Sequence, residues 1–261
     1  MHNIILASKS KVRKKILAEN GINCTVEPAN IDEEAIKLNM LKQKASPEII
    51  AKNLAELCKE KNIKKFIQLS TCSNYGQAKE MVDEDGELFP TSLYAETKVN
   101  LEKYLIKNIP NATTLRCATA YGLSVGRMRF DLLVSDFIKE AWLEKQINVF
   151  MPEVHRPIVH VSDISNAILL CIDHEGTLSR VYNVGSSIQN YTKRQIAEKV
   201  ANRLNVPLNI VEKIDKRDYI VNFDRIKNEL NFSTKFLAED GIEEMVKILE
   251  DGNFDLEQSN V

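Results

Sequence analysis

Glycine is scarce in this chain, at 9 of 261 residues, about half of its usual share of about 7%. Before Tyr75 the sequence contains a single glycine, Gly21. The first predicted strand is therefore not followed by the glycine-rich turn that usually brings backbone amides against the pyrophosphate of a dinucleotide. This absence excludes the standard form of that binding motif from the N-terminal part of the chain.

Long apolar runs, paired cysteines and an excess of charge are also missing. No apolar stretch approaches the roughly 20 residues of a membrane span, and the short apolar stretch at the N-terminus precedes its basic cluster, unlike a secretory signal. The 5 cysteines are widely spaced without a CxxC pair, which disfavours a disulfide framework or a zinc site. With 35 basic and 37 acidic residues, no charge excess favours nucleic acid or membrane lipid. We expect a cytoplasmic protein with no metal site.

The sequence does contain an alternation of predicted strands and helices. Short apolar runs predict strands at residues 3–7, 66–70, 113–117 and 181–184. Helical spacing and capping residues predict helices at residues 46–61, 92–108, 131–145 and 192–204. Strands that alternate with helices are typical of an α/β fold with a mainly parallel sheet, which we therefore expect.

The strongest chemical signal is a tyrosine followed four residues later by a lysine, Tyr94 and Lys98, within a predicted helix. The i,i+4 spacing places both side chains on one helix face. A phenol has an ordinary pKa near 10, and a nearby ammonium group lowers that pKa because it favours the phenolate. The pair is suited to exchange a proton with a substrate hydroxyl. The alternative is that Tyr94 belongs to a core-facing stripe and Lys98 is solvated.

Further motifs lie in a fixed order around this pair. Upstream, residues 66–76 (FIQLSTCSNYG) form a predicted strand that ends in hydroxyl residues, and ligands of open α/β sheets bind at the carboxyl ends of strands. Downstream follow the segments LR at 115–116, AYG at 120–122, RPIVHVSD at 156–163, YNVG at 182–185 and DKRDY at 215–219. This ordered series resembles the extended short-chain dehydrogenase/reductase superfamily of NAD-dependent nucleotide-sugar epimerases and dehydratases, over about residues 53–252.

The resemblance implies a Rossmann-like, mainly parallel sheet with flanking helices. In this chain the N-terminal half of that fold is incomplete, and a small substrate-binding part lies at about residues 150–252. The implied activity is that of an oxidoreductase or isomerase that uses NAD or NADP on a nucleotide-sugar substrate. The implied partners are that substrate and, through the helix at residues 92–108, a second copy in a homodimer.

Catalytic roles follow from the resemblance by position. Thr71 matches the Ser/Thr that hydrogen-bonds the substrate hydroxyl, and Tyr94 matches the acid/base. Lys98 matches the residue that holds the nicotinamide ribose and tunes Tyr94. Together with these two, Arg116 is expected to bind the cofactor. The alternative for Thr71 is a cap at the end of its strand.

Substrate contacts are implied in the same way. Arg156 and Arg217 match arginines that contact the diphosphate of the sugar nucleotide, and the planar guanidinium suits bidentate phosphate binding. Ser73 and Asn74, just after the predicted strand, are expected to contact the substrate. The alternative for both arginines is a surface ion pair.

The N-terminal segment has a different character. A short strand is followed by a basic, serine-containing turn (IILASKSKVRKK, residues 4–15), and further motifs occur at residues 30–33 (NIDE) and 46–57 (SPEIIAKNLAEL). These residues resemble the opening of the Maf-type nucleotide pyrophosphatases. By position, the triphosphate contacts would be Ser8, Ser10, Arg13 and Lys14, helped by the helix N-terminus. The alternative is a basic helix that faces solvent.

The two resemblances meet at residues 53–60, in a predicted helix that suits either family. We therefore expect a fusion of a Maf-like fragment at residues 1–58 with a dehydrogenase/reductase portion at residues 59–252, followed by a frayed tail at residues 253–261. Three functions stay open: a nucleotide-sugar epimerase or dehydratase, a nucleoside triphosphate pyrophosphatase, and a non-catalytic sugar-nucleotide-binding protein.

Overall fold

The computed structural model describes residues 4–6, 14, 18, 23–26, 47–124, 128–176, 178, 180–215 and 217–252. The strands are β1 Ile4–Leu6, β2 Cys24–Val26, β3 Phe66–Thr71, β4 Gln77–Val82, β5 Ala112–Cys117, β6 Thr119–Tyr121, β7 Ile147–Val149, β8 His155–His160, β9 Val181–Val184, β10 Asn190–Thr192, β11 Leu208–Ile210 and β12 Asp218–Val221. The α-helices are α1 Pro47–Glu60, α2 Leu93–Asn108, α3 Leu133–Glu144, α4 Val161–Asp173, α5 Lys193–Leu204, α6 Asp224–Leu230 and α7 Ala238–Glu250.

The central sheet is parallel and has the strand order β3-β5-β9. Thr71 at the end of β3 lies opposite Cys117 at the end of β5, which lies opposite Val184 at the end of β9. The carboxyl ends of the strands therefore meet at one edge of the sheet, which is the usual ligand-binding edge. The remaining strands form smaller sheets, mostly parallel, with β8–β10 antiparallel. The predicted α/β, Rossmann-like class with a mainly parallel sheet is confirmed.

Among the described residues, three buried apolar clusters hold these layers together, and two of them are large. One lies behind the central sheet and includes Leu115, Tyr182 and Phe232. The other fills the C-terminal part between α3, α5, α7 and the strands β7 and β8, and includes Ile138 and Ile196. Burial of apolar side chains on one face of each helix is the main source of stability for such layers.

The helix α2 owes its position to a cap and an apolar face. The Ser92 hydroxyl accepts a hydrogen bond from the N–H of Ala95 at 3.2 Å, which satisfies one of the free donors at the helix start. Ala95, Val99 and Leu105 are buried. The helix therefore begins where the sequence predicts, and its first turn carries Tyr94.

At the N-terminus, β1 and β2 form a parallel pair with Ile4 opposite Cys24. Within the described ranges, no strand pairing connects this pair with β3, which forms the edge of the central sheet. Residues 7–22, apart from the exposed Lys14 and Ala18, and the motif at residues 30–33 lie outside the described residues. The proposed boundary at residue 58 falls inside α1.

Strands β4 and β12 are not among the strands predicted from the sequence. They pair in parallel with each other, with Gln77 opposite Asp218 and Val82 opposite Val221. All 5 cysteines are free thiols. In the part of the chain that the structure describes, no helix is both long enough and apolar enough to cross a membrane.

Gly122 and Gly176 offer a matched test of close packing. Both have positive φ, +99° and +97°, so alanine is strained at each by about 1–2 kcal/mol. A Cβ at Gly122 would also lie 2.0 Å from Nε2 of His160, whereas nothing lies within 4 Å of a Cβ at Gly176. His160 cannot easily yield, because it is buried and stacks on Phe236 with ring centroids 4.1 Å apart.

We expect Gly122→Ala to lower the free energy of unfolding by about 1–3 kcal/mol more than Gly176→Ala, as measured by urea unfolding. Equal losses in the two variants would contradict this packing arrangement.

Candidate functional site

The end of β3 presents a hydroxyl at the carboxyl edge of the central sheet. The Oγ1 atom of Thr71 accepts a hydrogen bond from the N–H of Ser73 at 3.1 Å and lies 2.8 Å from the Oγ of Ser73. Thr71 thereby caps the short 3₁₀ helix Cys72–Tyr75. Both Thr71 and Ser73 are half-buried. The strand-end cap considered as the alternative role of Thr71 is therefore present in the structure.

Tyr94 and Lys98 lie on one face of α2 above this edge. The Tyr94 side chain is accessible, since the residue is 59% exposed. The Nζ of Lys98 lies 5.7 Å from the centroid of the Tyr94 ring and donates a hydrogen bond to the carbonyl of Leu69 on β3 at 2.8 Å. The helix face therefore brings together the pair that the spacing predicts.

The electrostatics of Tyr94 depend on its burial and its neighbours. Partial burial and the nearby Cys117 raise the pKa of Tyr94, while the cation of Arg129 opposes this rise. Burial also lowers the pKa of Lys98. Lys98 directs its ammonium group to the carbonyl of Leu69, and its role in lowering the pKa of Tyr94 stays a prediction. Arg129 and Cys117 are neighbours of Tyr94 that the sequence-based prediction misses, and no motif marks them.

Arg116 requires a correction, because its guanidinium is used inside the protein. It is 3% exposed. Its Nε donates to Glu102 at 3.0 Å, and its Nη1 donates to the hydroxyl of Tyr75 at 2.8 Å and to the carbonyl of Glu84 at 3.1 Å. The predicted cofactor contact is replaced by a buried network that joins β5, α2 and the segment after β3. An arginine whose donors are committed in this way is a structural residue.

The predicted substrate contact of Asn74 also needs correction. It is fully buried and its Nδ2 donates to the Oγ of Ser70 at 3.2 Å. A substrate contact from this side chain is therefore excluded in the described arrangement. Ser73 remains at the sheet edge, half-buried beside Thr71.

Arg156 and Arg217 meet at one carboxylate. The Nη2 of Arg156 donates to Oδ2 of Asp215 at 2.7 Å. The side chain of Arg217 reaches both oxygens of Asp215, each at 3.0 Å. Lys193 donates to the same Oδ2 at 3.1 Å. We call these four residues the Asp215 cluster.

The Asp215 cluster carries an excess of positive charge. Burial opposes ionisation of Asp215, but the hydrogen bonds from Arg217 and the charge of Arg156 hold its pKa well below the ordinary range. Asp215 is therefore ionised, and one carboxylate faces three cationic side chains. Arg156 is 4% exposed on its side chain, whereas that of Arg217 is 46% exposed. Arg217 is thus the accessible member, and Arg156 is held behind it.

Lys193 is a member that the sequence-based prediction misses. A signal for it exists, because Ile196 and Ala197 follow it by three and four residues and are buried. Helical periodicity therefore places Lys193 on the buried face of α5. A lysine on that face needs a partner, which here is Asp215.

The chain matches the model of one protein family over more than half of its length. The model of the "NAD dependent epimerase/dehydratase family" matches residues 8–185. The "Uncharacterized UDP-glucose epimerase YtcB" of Bacillus subtilis (strain 168) is 30% identical over 140 residues, 51% of this chain and 43% of that protein. The "Nucleoside triphosphate pyrophosphatase" of Pelagibacter ubique (strain HTCC1062) is 58% identical over 65 residues, 25% of this chain and 33% of that protein. The chain thus spans less than half the length of these curated relatives.

Solved structures share the fold. The UDP-glucose 4-epimerase (TM0509) of Thermotoga maritima with UDP-glucose has a TM-score of 0.73 at 21% identity, over 97% of this chain and 100% of that chain. The dTDP-glucose 4,6-dehydratase (rfbB) of Bacillus anthracis str. Ames in complex with NAD has a TM-score of 0.72 at 22% identity, over 88% of this chain and 81% of that chain. At these identities the likeness establishes the fold alone.

The electrostatic surroundings of Tyr94 are open to a direct test. Because the cation of Arg129 lowers the pKa of Tyr94, we expect Arg129→Gln to raise that pKa further. The measurement is a pH titration of ring-labelled tyrosine by NMR, with the Tyr94 signal assigned from Tyr94→Phe. Arg180→Gln, at an exposed arginine that pairs with Glu229, is the control and should leave the Tyr94 signal unchanged. A fall in the pKa of Tyr94 in Arg129→Gln would contradict the arrangement.

Proposed function

The chain belongs to the NAD-dependent epimerase/dehydratase family, and we propose that it acts on a nucleotide sugar with NAD or NADP in an epimerase- or dehydratase-type reaction. The observation that carries this proposal is the juxtaposition of Lys98 with the accessible Tyr94, at the sheet edge where β3 ends in Thr71. The UDP-glucose and dTDP-glucose enzymes that share the fold support the same substrate class.

The proton transfer is assigned to Tyr94. Its phenol exchanges a proton with a hydroxyl of the sugar, and the hydroxyl of Thr71 polarises the same oxygen. Because the pKa of Tyr94 is raised in this arrangement, the phenolate has to be favoured when ligands bind. Lys98 is suited to this role, since its ammonium group has three donors and one of them is used by Leu69.

The residues at the sheet edge fit the nicotinamide end of the cofactor. Tyr94 and Lys98, on one accessible helix face at the carboxyl edge of the sheet, fit the nicotinamide ribose, and they are the residues that would hold it. The bound cofactor supplies hydride transfer at the sugar carbon. At the pyrophosphate end the chain offers the serines and basic residues that follow β1 in place of a glycine-rich turn, and Ser8, Ser10 and Arg13 there lie outside the described residues.

The diphosphate of the sugar nucleotide is assigned to the Asp215 cluster. Arg217 supplies an exposed guanidinium, whose planar donors match phosphate oxygens. Arg156 adds positive charge behind Asp215. The surface ion pair considered as the alternative role of Arg217 is also present, in its contact with Asp215. Ligand binding is expected to share or displace that contact.

A second candidate function rests on the N-terminal segment. Its 58% identity to a nucleoside triphosphate pyrophosphatase over 65 residues supports triphosphate binding by Ser8, Ser10, Arg13 and Lys14. Of these four residues, Lys14 alone is described, and it is exposed. A third possibility, a binding protein without catalysis, is an outcome of the test of the first function.

Tyr94→Phe tests the main proposal. We expect a loss of about 100-fold or more in kcat, because the variant lacks the proton donor, with an unchanged thermal midpoint. The assay follows conversion of UDP-, CDP- and dTDP-sugars with NAD or NADP. Tyr104→Phe, on the same helix but hydrogen-bonded to Glu56, is the matched control and should retain activity.

The results of these assays distinguish catalysis through Tyr94 from binding without catalysis. Turnover that survives Tyr94→Phe contradicts the proposed proton transfer. A thermal shift with a sugar nucleotide in the absence of any turnover assigns the chain to the binding class, since a ligand of the folded state raises the midpoint by mass action.

Release of pyrophosphate from nucleoside triphosphates tests the second function. We expect Arg13→Gln to reduce the rate of release about tenfold or more, because the variant loses a phosphate-binding charge. Lys61→Gln, at an exposed lysine after α1, is the control. If the wild-type chain releases no pyrophosphate with Mg²⁺ or Mn²⁺ present, this function is excluded.

A further inference from the structure

Lys193 is a buried cation in an energetically unfavourable place. It is 2% exposed and is the first residue of α5. A positive charge at a helix N-terminus is opposed by the helix dipole, and burial of an ammonium group is costly unless it is well paired. Its Nζ donates to Asp215 at 3.1 Å and to the carbonyl of Phe150 at 3.4 Å, and it lies 3.6 Å from the centroid of the Phe150 ring.

Stability alone gives little reason for this arrangement. The carboxylate of Asp215 already accepts hydrogen bonds from Arg156 and Arg217, so a third cation adds repulsion from both arginines. Burial lowers the pKa of Lys193, the contact with Asp215 opposes this, and the charges of both arginines add to the lowering. A like-charged group is tolerated at such a place when an anion balances it.

The balance of charge identifies the anion. If the cluster held only the two arginines and Asp215, the carboxylate would cancel one positive charge, and one positive charge would remain to attract a ligand. With Lys193 present, the cluster retains the equivalent of both arginine charges. The diphosphate of a sugar nucleotide is anionic on both of its phosphates, so the cluster matches it only when Lys193 is included.

We propose that Lys193 is a positioning residue of the diphosphate site, which holds Asp215 and offsets its negative charge so that the exposed guanidinium of Arg217 remains available to the ligand and the buried charge of Arg156 behind it is not cancelled. This inference rests on the proposed function, because it deepens the site assigned there to the sugar nucleotide. It concerns binding of the diphosphate alone and requires neither cofactor nor turnover.

The test is titration calorimetry with inorganic pyrophosphate in metal-free buffer. Lys193→Met removes the charge and keeps the side-chain stem on Phe150. We expect the affinity to fall about tenfold, a size that loss of one charge near an ion pair commonly causes, and its dependence on salt to become shallower. Lys199→Met, on the same helix and paired with Glu239 outside the cluster, should bind as the wild type does.

Controls keep the result unambiguous. All variants, and the reference protein, are made in the Arg13→Gln background, which removes one of the phosphate contacts predicted in the N-terminal segment. If Lys193→Met fails to fold, Lys193→Gln retains a hydrogen-bond donor for Asp215 and serves instead. A purely structural role would change the urea midpoint and leave the salt dependence of binding unaltered.

Two results would overturn the inference: pyrophosphate binding by the folded neutral variant that equals the wild type, or no binding by the wild type up to millimolar concentration. Pyrophosphate contains neither sugar nor base. Failure of the epimerase or dehydratase assays therefore leaves this experiment intact, and failure here leaves those assays to be judged separately.

Discussion

The buried ion pair between Arg116 and Glu102 ties the helix α2 to the central sheet. Glu102 lies one turn beyond Lys98 on α2, and Arg116 directly precedes Cys117 at the end of β5. The same guanidinium bonds Tyr75, whose hydroxyl donates to Asn183 on β9 at 2.7 Å. Removal of one partner from such a buried pair commonly costs about 3–5 kcal/mol. The guanidinium of Arg116 and its partners thus connect α2, β5, β9 and the turn after β3.

That constraint acts through residues other than Tyr94 and Lys98. Because the ion pair of Glu102 and the buried side chains Ala95, Val99 and Leu105 hold α2, the Tyr94 side chain is not needed for packing and stays accessible. The charges of the Asp215 cluster, unlike those of the Arg116–Glu102 pair, do not cancel. There the cations outnumber the carboxylate, so the site is unbalanced without a ligand. A network that is internally neutral stabilises a fold, whereas one with excess charge is suited to binding an anion.

The chain resembles two different kinds of protein. The family model matches residues 8–185, while 65 residues, a quarter of the chain, are 58% identical to a nucleoside triphosphate pyrophosphatase. In the described ranges the pair β1–β2 is not hydrogen-bonded to β3. The edge of the central sheet that a first cofactor-binding strand would occupy is therefore formed by β3 itself. Tyr94, Lys98 and the Asp215 cluster all lie in the later part of the chain.

The sequence by itself determined the features that depend on neighbours in the chain. Strands and helices alternate as predicted, α2 begins at Ser92, and Tyr94 and Lys98 share one face, because periodicity and capping are local properties. The structure alone decided that β4 pairs with β12, that Arg116 is structural and that Lys193 belongs to the Asp215 cluster. Each of these depends on a partner far away in the sequence, and burial and charge there are set by the packed neighbours, which no local pattern contains.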